Sequence, residues 1–331
     1  MDTNIGDASN ENGMATPLIV DENGDRIADT IYAGDLFGNL FKFDISDASE
    51  SNWKSVWEGT GQQKGVAEPL FQALDGSGND AAPQPITTKP TIVINTEAGF
   101  NIIFGTGKYI ETSDTVVLNP YQIQTMYSIW DDDNDSNSSQ VGGRSDLQEQ
   151  FITDEIDVTV DGEILTVRVV STTDIDYSVN NSKEGWFMDA LEPGLVSPFS
   201  GERIIADPIT RFGRAIFTTF IPPENPCDLG GTSVLMEVDA LTGARLEDSV
   251  FDINGDGIID DKDYVTLADG TTRVPVSGIY IPGTLTSPAV ISLGDPDQEA
   301  KQLSGVDSET TTILESTGGV TVGRQSWRQL K

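Results

Sequence analysis

The sequence predicts an all-β chain folded as a β-propeller. Three observations carry that expectation. Short segments rich in Val, Ile, Thr and Phe recur at close intervals, with turn residues between them. The composition, with 33 Gly and 16 Pro in 331 residues, favours strands and turns over helices. One unit, Thr30 to Asp44, reads as strand, Ala-Gly-Asp, turn, Gly-Asn-Leu, strand, Asp. That is the pattern of a quinoprotein-like propeller blade.

The elements follow in order. Pro17-Leu-Ile-Val20 reads as a short buried strand. In the Thr30 unit, two strands flank the turn Asp35-Leu-Phe-Gly38-Asn39, and Leu40, Lys42 and Asp44 alternate with Phe41, Phe43 and Ile45. Related units recur: Thr91-Ile-Val-Ile-Asn before Phe100 to Ile110, Gly201 to Ala206 before Arg214 to Phe220, and Thr232 to Asp239 before a turn at Gly243. Pro288 to Leu293 and Thr310 to Glu315 close the series as strands. The one helical candidate is Asp146 to Phe151.

Between Tyr127-Ser-Ile-Trp130 and Gly185-Trp-Phe-Met188, residues 131–184 read as an acidic insertion within a single domain spanning 1–331. Its start, Asp131-Asp-Asp-Asn-Asp135 running on to Ser139, is expected to be a disordered acidic loop. The alternative is a cation held by Asp131, Asp133 and Asp135. Asp161-Gly162 between alternating apolar residues predicts a hairpin of Ile156–Val160 with Ile164–Val170.

Charge narrows the function. There are 54 acidic against 19 basic residues, a formal charge of −35. Such a surface repels phosphate backbones and anionic membranes, so no nucleic-acid partner is expected. His is absent, which removes His-ligated zinc and every Ser-His or Cys-His pair. The lone Cys227 cannot form an internal disulfide. No apolar run is long enough to span a bilayer. The first residues lack the basic start and apolar segment of a signal peptide. A cytosolic protein or a piece of a longer exported chain is expected. Gly105-Thr-Gly107-Lys108 lacks the spacing of a phosphate loop and reads as a strand-end turn.

One motif survives. In residues 252–263, Asp252, Asn254, Asp256, Asp260 and Asp263 fall at positions 1, 3, 5, 9 and 12 of a loop, with Gly257 at position 6. This is the spacing of an EF-hand-like calcium loop: a hard cation wants six to eight oxygens, and alternate residues of a tight loop supply them. Ile258, at position 7, would offer its carbonyl. A weaker second loop holds Asp21, Asn23, Asp25, Ile27 and Asp29, with Arg26 at the glycine position and Tyr32 at position 12. An ordinary Asx-rich turn is the competing reading there. The Asp252 loop leads into extended chain, unlike a dockerin's paired, helix-opening loops.

At this point a resemblance enters. Met14-Ala-Thr-Pro-Leu-Ile-Val-Asp-Glu-Asn-Gly-Asp25, Tyr32 to Asp44, Ile103-Phe-Gly-Thr-Gly-Lys-Tyr109 and Gly185-Trp-Phe-Met-Asp189 are joined by Gly201-Glu-Arg203, Phe217 to Pro222 and Pro226 to Ser233. With the Asp252 loop and Ser326-Trp-Arg-Gln-Leu330, this ordered set resembles the C-terminal β-propeller of PilY/PilC-type type IV pilus biogenesis proteins and tip adhesins. The resemblance implies a non-enzymatic, exported protein at the pilus tip or outer membrane. Its implied partners are minor pilins and the tip complex, and host or abiotic surfaces. Calcium (Ca2+) is implied to tune pilus extension against retraction, and hence twitching motility and adhesion. The implied ligands are the side chains of Asp252, Asn254, Asp256 and Asp260 and the carbonyl of Ile258, with Asp260 favoured over Asp263 for closing the site. Members are longer, so only part of the propeller is expected. The alternatives are a pyrroloquinoline-quinone dehydrogenase-like propeller, disfavoured by the lack of adjacent cysteines, and a generic calcium-stabilised surface protein.

Overall fold

Strands dominate the computed structural model, which describes residues 2–76, 81–115, 122–135, 140–178, 183–195, 200–223, 230–293, 297–305 and 310–317. Four sheets follow one another as blades of a propeller. The first orders Leu18–Val20, Thr30–Gly34, Asn39–Asp44 and Lys54–Ser55, with Phe71–Gln72 also on the third strand. The second orders Gln148–Gln150, Gly185–Asp189, Thr125–Asp131, Phe100–Gly105 and Thr91–Ile94. In the third the order is Ile152–Val160, Glu163–Val170, Gly278–Pro282, Thr232–Asp239, Arg214–Ile221 and Ile209–Arg211. The fourth holds Ala289–Ser292, Gln298–Ser304 and Thr310–Ser316. Among the described residues the helical segments are short 3-10 turns.

The blades stack because their strands are apolar on both faces. Side chains alternate along a strand, so successive residues serve different neighbours. Ile102 and Phe104 join Tyr32, Leu40, Trp57 and Tyr127 in the core between the first two blades. Ile103, between them in sequence, packs with Trp186, Phe217 and Met236 against the third blade. Ala215 and Phe217 share that core, while Ile216 turns to a third core with Leu235, Phe251, Ile253 and Leu303.

Two glycines mark equivalent lashings between blades. A Cβ on Gly34 would lie 2.2 Å from Ile86 Cγ2, and one on Gly105 would lie 2.2 Å from Ile204 Cγ2. Only glycine admits so close an approach. The lashing segments are tied by Ile86 N–H donating to Asp35 O and Ile204 N–H donating to Thr106 O, each at 2.9 Å. The expected strand at Gly201–Ala206 is therefore not one. It makes an isolated bridge, Arg203 with Phe220, and crosses between blades. The Gly105–Lys108 segment does end a strand, with Lys108 paired to Asp114 at 3.2 Å.

The helix expected at Asp146–Phe151 does not form. Arg144–Asp146 is a 3-10 turn, and Gln148–Gln150 is a strand parallel to Gly185–Asp189. Tertiary bonding decides this. The buried Gln150 amide donates to the carbonyls of Thr173 and Thr242 at 2.6 and 2.7 Å. The hairpin forms as expected and extends back to Ile152, turning at Asp161 and Gly162, both with positive φ. It pairs with Gly278–Pro282 and so belongs to the third blade's sheet.

Asp131, Asp133 and Asp135 do gather around a cation, and it is Lys42. Its buried ammonium lies 3.0 Å from Asp131, 3.9 Å from Asp133 and 2.8 Å from Asp135. Burial works against that charge, but Asp131 and Asp135 outweigh it and raise the lysine above its usual pKa. The expected disorder therefore does not extend to Asp131–Asp135. Residues 136–139, Cys227 and the 326–330 motif lie outside the described residues.

Candidate metal centre

The Asp252 loop hangs between two β elements, at the junction of the third and fourth blades. Upstream, Phe251 bridges to Glu315 and Ser316 N–H donates to Val250 O at 2.9 Å. Downstream, Tyr264–Thr266 pairs with Arg273–Pro275. Phe251 and Ile253 are buried in the third core, which fixes where the loop leaves the body.

Within the loop the acidic side chains build the turn themselves. Asp252 accepts from the amides of Gly255 and Gly257 at 2.7 and 2.8 Å. Asn254 Oδ1 accepts from Asp256 N–H at 2.8 Å, and Asp256 Oδ1 from Ile258 N–H at 3.0 Å. Gly255 and Gly257 take φ of 74° and 81°, the left-handed conformation that glycine adopts without steric cost.

Asp263 is the buried member. Its Oδ1 accepts from Ile253 N–H at 3.0 Å and its Oδ2 from Asp260 N–H at 2.8 Å. Burial raises its pKa, partly offset by those backbone donors. Both its oxygens are thus committed to the backbone. Asp260 is freer. It caps the Asp261–Asp263 turn through Lys262 N–H, and its side chain is 40% exposed. Lys262 Nζ stands 2.9 Å from Asp256 Oδ2 and 3.4 Å from Asp260 Oδ2. That contact lowers the Asp256 pKa and raises that of Lys262.

Among the described residues no group of three or more acidic side chains is already arranged to hold a metal ion. The donor chemistry nonetheless fits a hard cation. The set at positions 1, 3, 5 and 9 is all oxygen, and an ammonium stands against two of its members. Beside the loop lies a cleft of about 310 Å³ lined by Asp248, Ser249, Asp260, Asp261, Tyr264 and Ser316. A larger cleft, about 620 Å³ and lined in part by Asp174, Asp239, Arg245 and Glu247, shares no residue with the loop.

The Asp21 loop has the same internal wiring. Asp21 accepts from Gly24 and Arg26 amides, both at 2.7 Å, Asn23 Oδ1 from Asp25 N–H at 2.9 Å, and Asp25 Oδ1 from Ile27 N–H at 2.8 Å. Arg26 adopts φ of 74° at the glycine position. The backbone there follows the same path as at Gly257. The loops part at their closure. Asp29, at position 9, itself accepts from Glu22 N–H at 3.0 Å, the role that Asp263 plays in the other loop. Tyr32, at position 12, instead donates to Asp131 at 2.6 Å in the core.

Four stacked, largely antiparallel sheets define this chain as a β-propeller module. Its sequence and fold are similar to those of PilY1. Residues 4–162 match the family model described as the PilY1 beta-propeller domain. The chain is 31% identical over 342 residues to type IV pilus biogenesis factor PilY1 of Pseudomonas aeruginosa PAO1, a match covering 97% of this chain and 28% of that protein. A PilY1 homolog of Xylella fastidiosa Temecula1 is 29% identical over 339 residues, covering 97% of this chain and 21% of the relative. The crystal structure of the P. aeruginosa PilY1 C-terminal domain aligns with a TM-score of 0.73 at 26% identity, covering 95% of this chain and 63% of that one. The chain spans well under half the length of these curated relatives. In sequence and in fold it resembles the C-terminal propeller of PilY-type proteins.

Proposed function

We propose that this chain is the calcium-binding propeller module of a type IV pilus biogenesis and tip adhesin protein. In this reading it is non-enzymatic, acts at the cell surface with minor pilins and the tip complex, and contributes to attachment. Calcium held by Asp252, Asn254, Asp256, Asp260 and the Ile258 carbonyl tunes pilus extension against retraction. The observation that carries the reading is the Asp252 loop, an oxygen-only donor set on a preformed turn, in a chain that resembles PilY1 along nearly its whole length.

Calcium would supply a hard positive charge that oxygen ligands satisfy. The chain's own part is to hold the donors ready. Asp263 pins the loop's second amide, and Asp252 N–H donates to Leu314 O at 3.4 Å. Gln298 Nε2 donates to Gly257 O at 3.3 Å. Both latter contacts reach the fourth blade and tie the loop to it.

Titration calorimetry tests the site. Calcium binding is expected in the wild type and lost in Asp256→Ala, with the far-UV spectrum unchanged. Unaltered binding in the variant would overturn the assignment. Loss of surface pili in cells carrying the variant in the full-length protein would support the pilus role; normal extension and retraction would reject calcium as their regulator.

A further inference from the structure

The sheet edges of this propeller are unequal. An unpaired edge is a row of free N–H and C=O groups, and native proteins keep such edges short or cover them. The first blade ends in Leu18–Val20, three residues, and Lys54–Ser55, two. The second ends in strands of three and four residues, Gln148–Gln150 and Thr91–Ile94. In the fourth, Ala289–Ser292 has four, and the longer Thr310–Ser316 is partly covered by its bonds to Val250–Asp252. The third blade's far edge, Ile209–Arg211, has three. Its near edge, Ile152–Val160, has nine.

Among the described residues no strand pairs with the outer side of that long edge. From Thr153 to Val160 no residue is buried. Among the described residues no backbone hydrogen bond reaches its outer side. Its two faces differ. Ile156 and Val158 pack against the third core. Glu155 and Asp157 fall on the other face, and Asp157 is exposed. The hairpin adds Asp154, Asp161 and Glu163, and its one base, Arg168, is buried against Glu155 and Glu202. A second copy of this edge would bring acid against acid, which disfavours self-pairing. An added strand of opposite charge meets both faces: apolar side chains continue the Ile156–Val158 row, and cations face Asp157.

We propose that Ile152–Val160 is a docking edge that accepts an extended protein segment alternating apolar and basic side chains, which adds to the third blade as a further strand. Main-chain bonds give the affinity and the alternation sets the register. The inference does not depend on the calcium site.

The probe is a nine-residue peptide alternating valine and lysine, with a valine–glutamate peptide as control, tested on the full chain. Binding is followed by fluorescence anisotropy and by amide hydrogen exchange. The lysine peptide is expected to bind and to slow exchange at residues 153–159 specifically, and the glutamate peptide to do neither. Asp157→Lys should weaken the lysine peptide by about tenfold or more and admit the glutamate peptide. Should that variant lose its fold, Asp157→Asn, at an exposed site, serves with an expected smaller weakening. Protection spread over the acidic surface, no protection on this edge, or unchanged affinity in the folded variant would overturn the proposal.

Discussion

The carboxylate of Asp263 accepts from the amide of Ile253 at 3.0 Å, ten residues upstream. It closes the loop at its neck and is itself buried, whereas Asp260 is half-exposed and bonded to Lys262. Their variants should therefore fail differently. Asp263→Ala orphans the amides of Ile253 and Asp260 and should cost about 2 kcal/mol of stability even in chelator. Asp260→Ala should leave the chelated protein's melting point nearly unchanged and lower calcium affinity by about tenfold or more. Calorimetry and thermal melts on both variants check this. Equal affinity losses without any difference in stability would show that Asp263 is a ligand.

Lys42 belongs to the first blade and Asp131 to the second, so their 3.0 Å pair bridges a blade junction. Lys42→Met removes the cation and leaves Asp131 buried, with the Tyr32 hydroxyl and the Asp133 amide as its remaining donors. Breaking a buried pair from one side costs about 3–5 kcal/mol. Lys42→Met/Asp131→Asn should recover part of that loss, because the stranded charge is gone. Guanidinium midpoints of the two variants decide it, and a single-variant loss below about 1 kcal/mol would place the pair among ordinary surface bridges.

Where residues alternate apolar and polar, or where Asp-Gly closes a hairpin, the fold was legible in the sequence. The strand Gln298–Ser304 was not, because its buried positions carry charge. Lys301 contacts Glu237 and Glu315, and Arg214 bonds Glu237 and Glu299 at 2.8 and 2.9 Å across the junction of the third and fourth blades. A polar run looks like a loop until its partners are known from another blade. Gln148–Gln150, where the sequence pattern predicts a helix, is a strand because carbonyls far along the chain fix it. In the candidate centre, oxygen spacing could be read directly. The division of labour between Asp260 and Asp263 could not, because it depends on which amides each meets. The Lys42 cluster carried a visible signal, alternate aspartates, but the lysine lies 89 residues from Asp131.

Arg168 and Glu202 set an acid limit on the third blade. The guanidinium donates to both Glu202 oxygens at 2.6 and 2.8 Å, with both residues buried. Burial alone would raise the Glu202 pKa, but Arg168 outweighs it and holds the carboxyl below the ordinary 4.5. A carboxylate depressed in the fold binds fewer protons there than in the unfolded chain. Its stabilisation is present above about pH 4.5 and is lost as pH falls through the lower folded value. Unfolding free energy should thus decline as pH falls below the ordinary carboxylate value, and Glu202→Gln should flatten that decline while lowering stability at pH 7. Parallel pH profiles for wild type and variant would show that the pair does not drive the acid loss.

Arg26 offers a test of how far the two acidic loops are alike. It holds φ of 74° where the Asp252 loop has Gly257 at 81°. A side chain in the left-handed region costs about 1–2 kcal/mol, whereas glycine adds about 0.4–1 kcal/mol of unfolded-state entropy. The two effects oppose, and strain is the larger. Arg26→Gly should therefore stabilise the chain modestly, by roughly 0.5 kcal/mol. It also removes a cation from a loop containing Asp21, Asn23, Asp25 and Asp29. The expected result is a small rise in the denaturant midpoint without a change in its slope. If instead Arg26→Gly lowers the midpoint, the arginine side chain stabilises the loop by more than its backbone strain costs, and the likeness of the two loops ends at their hydrogen bonds.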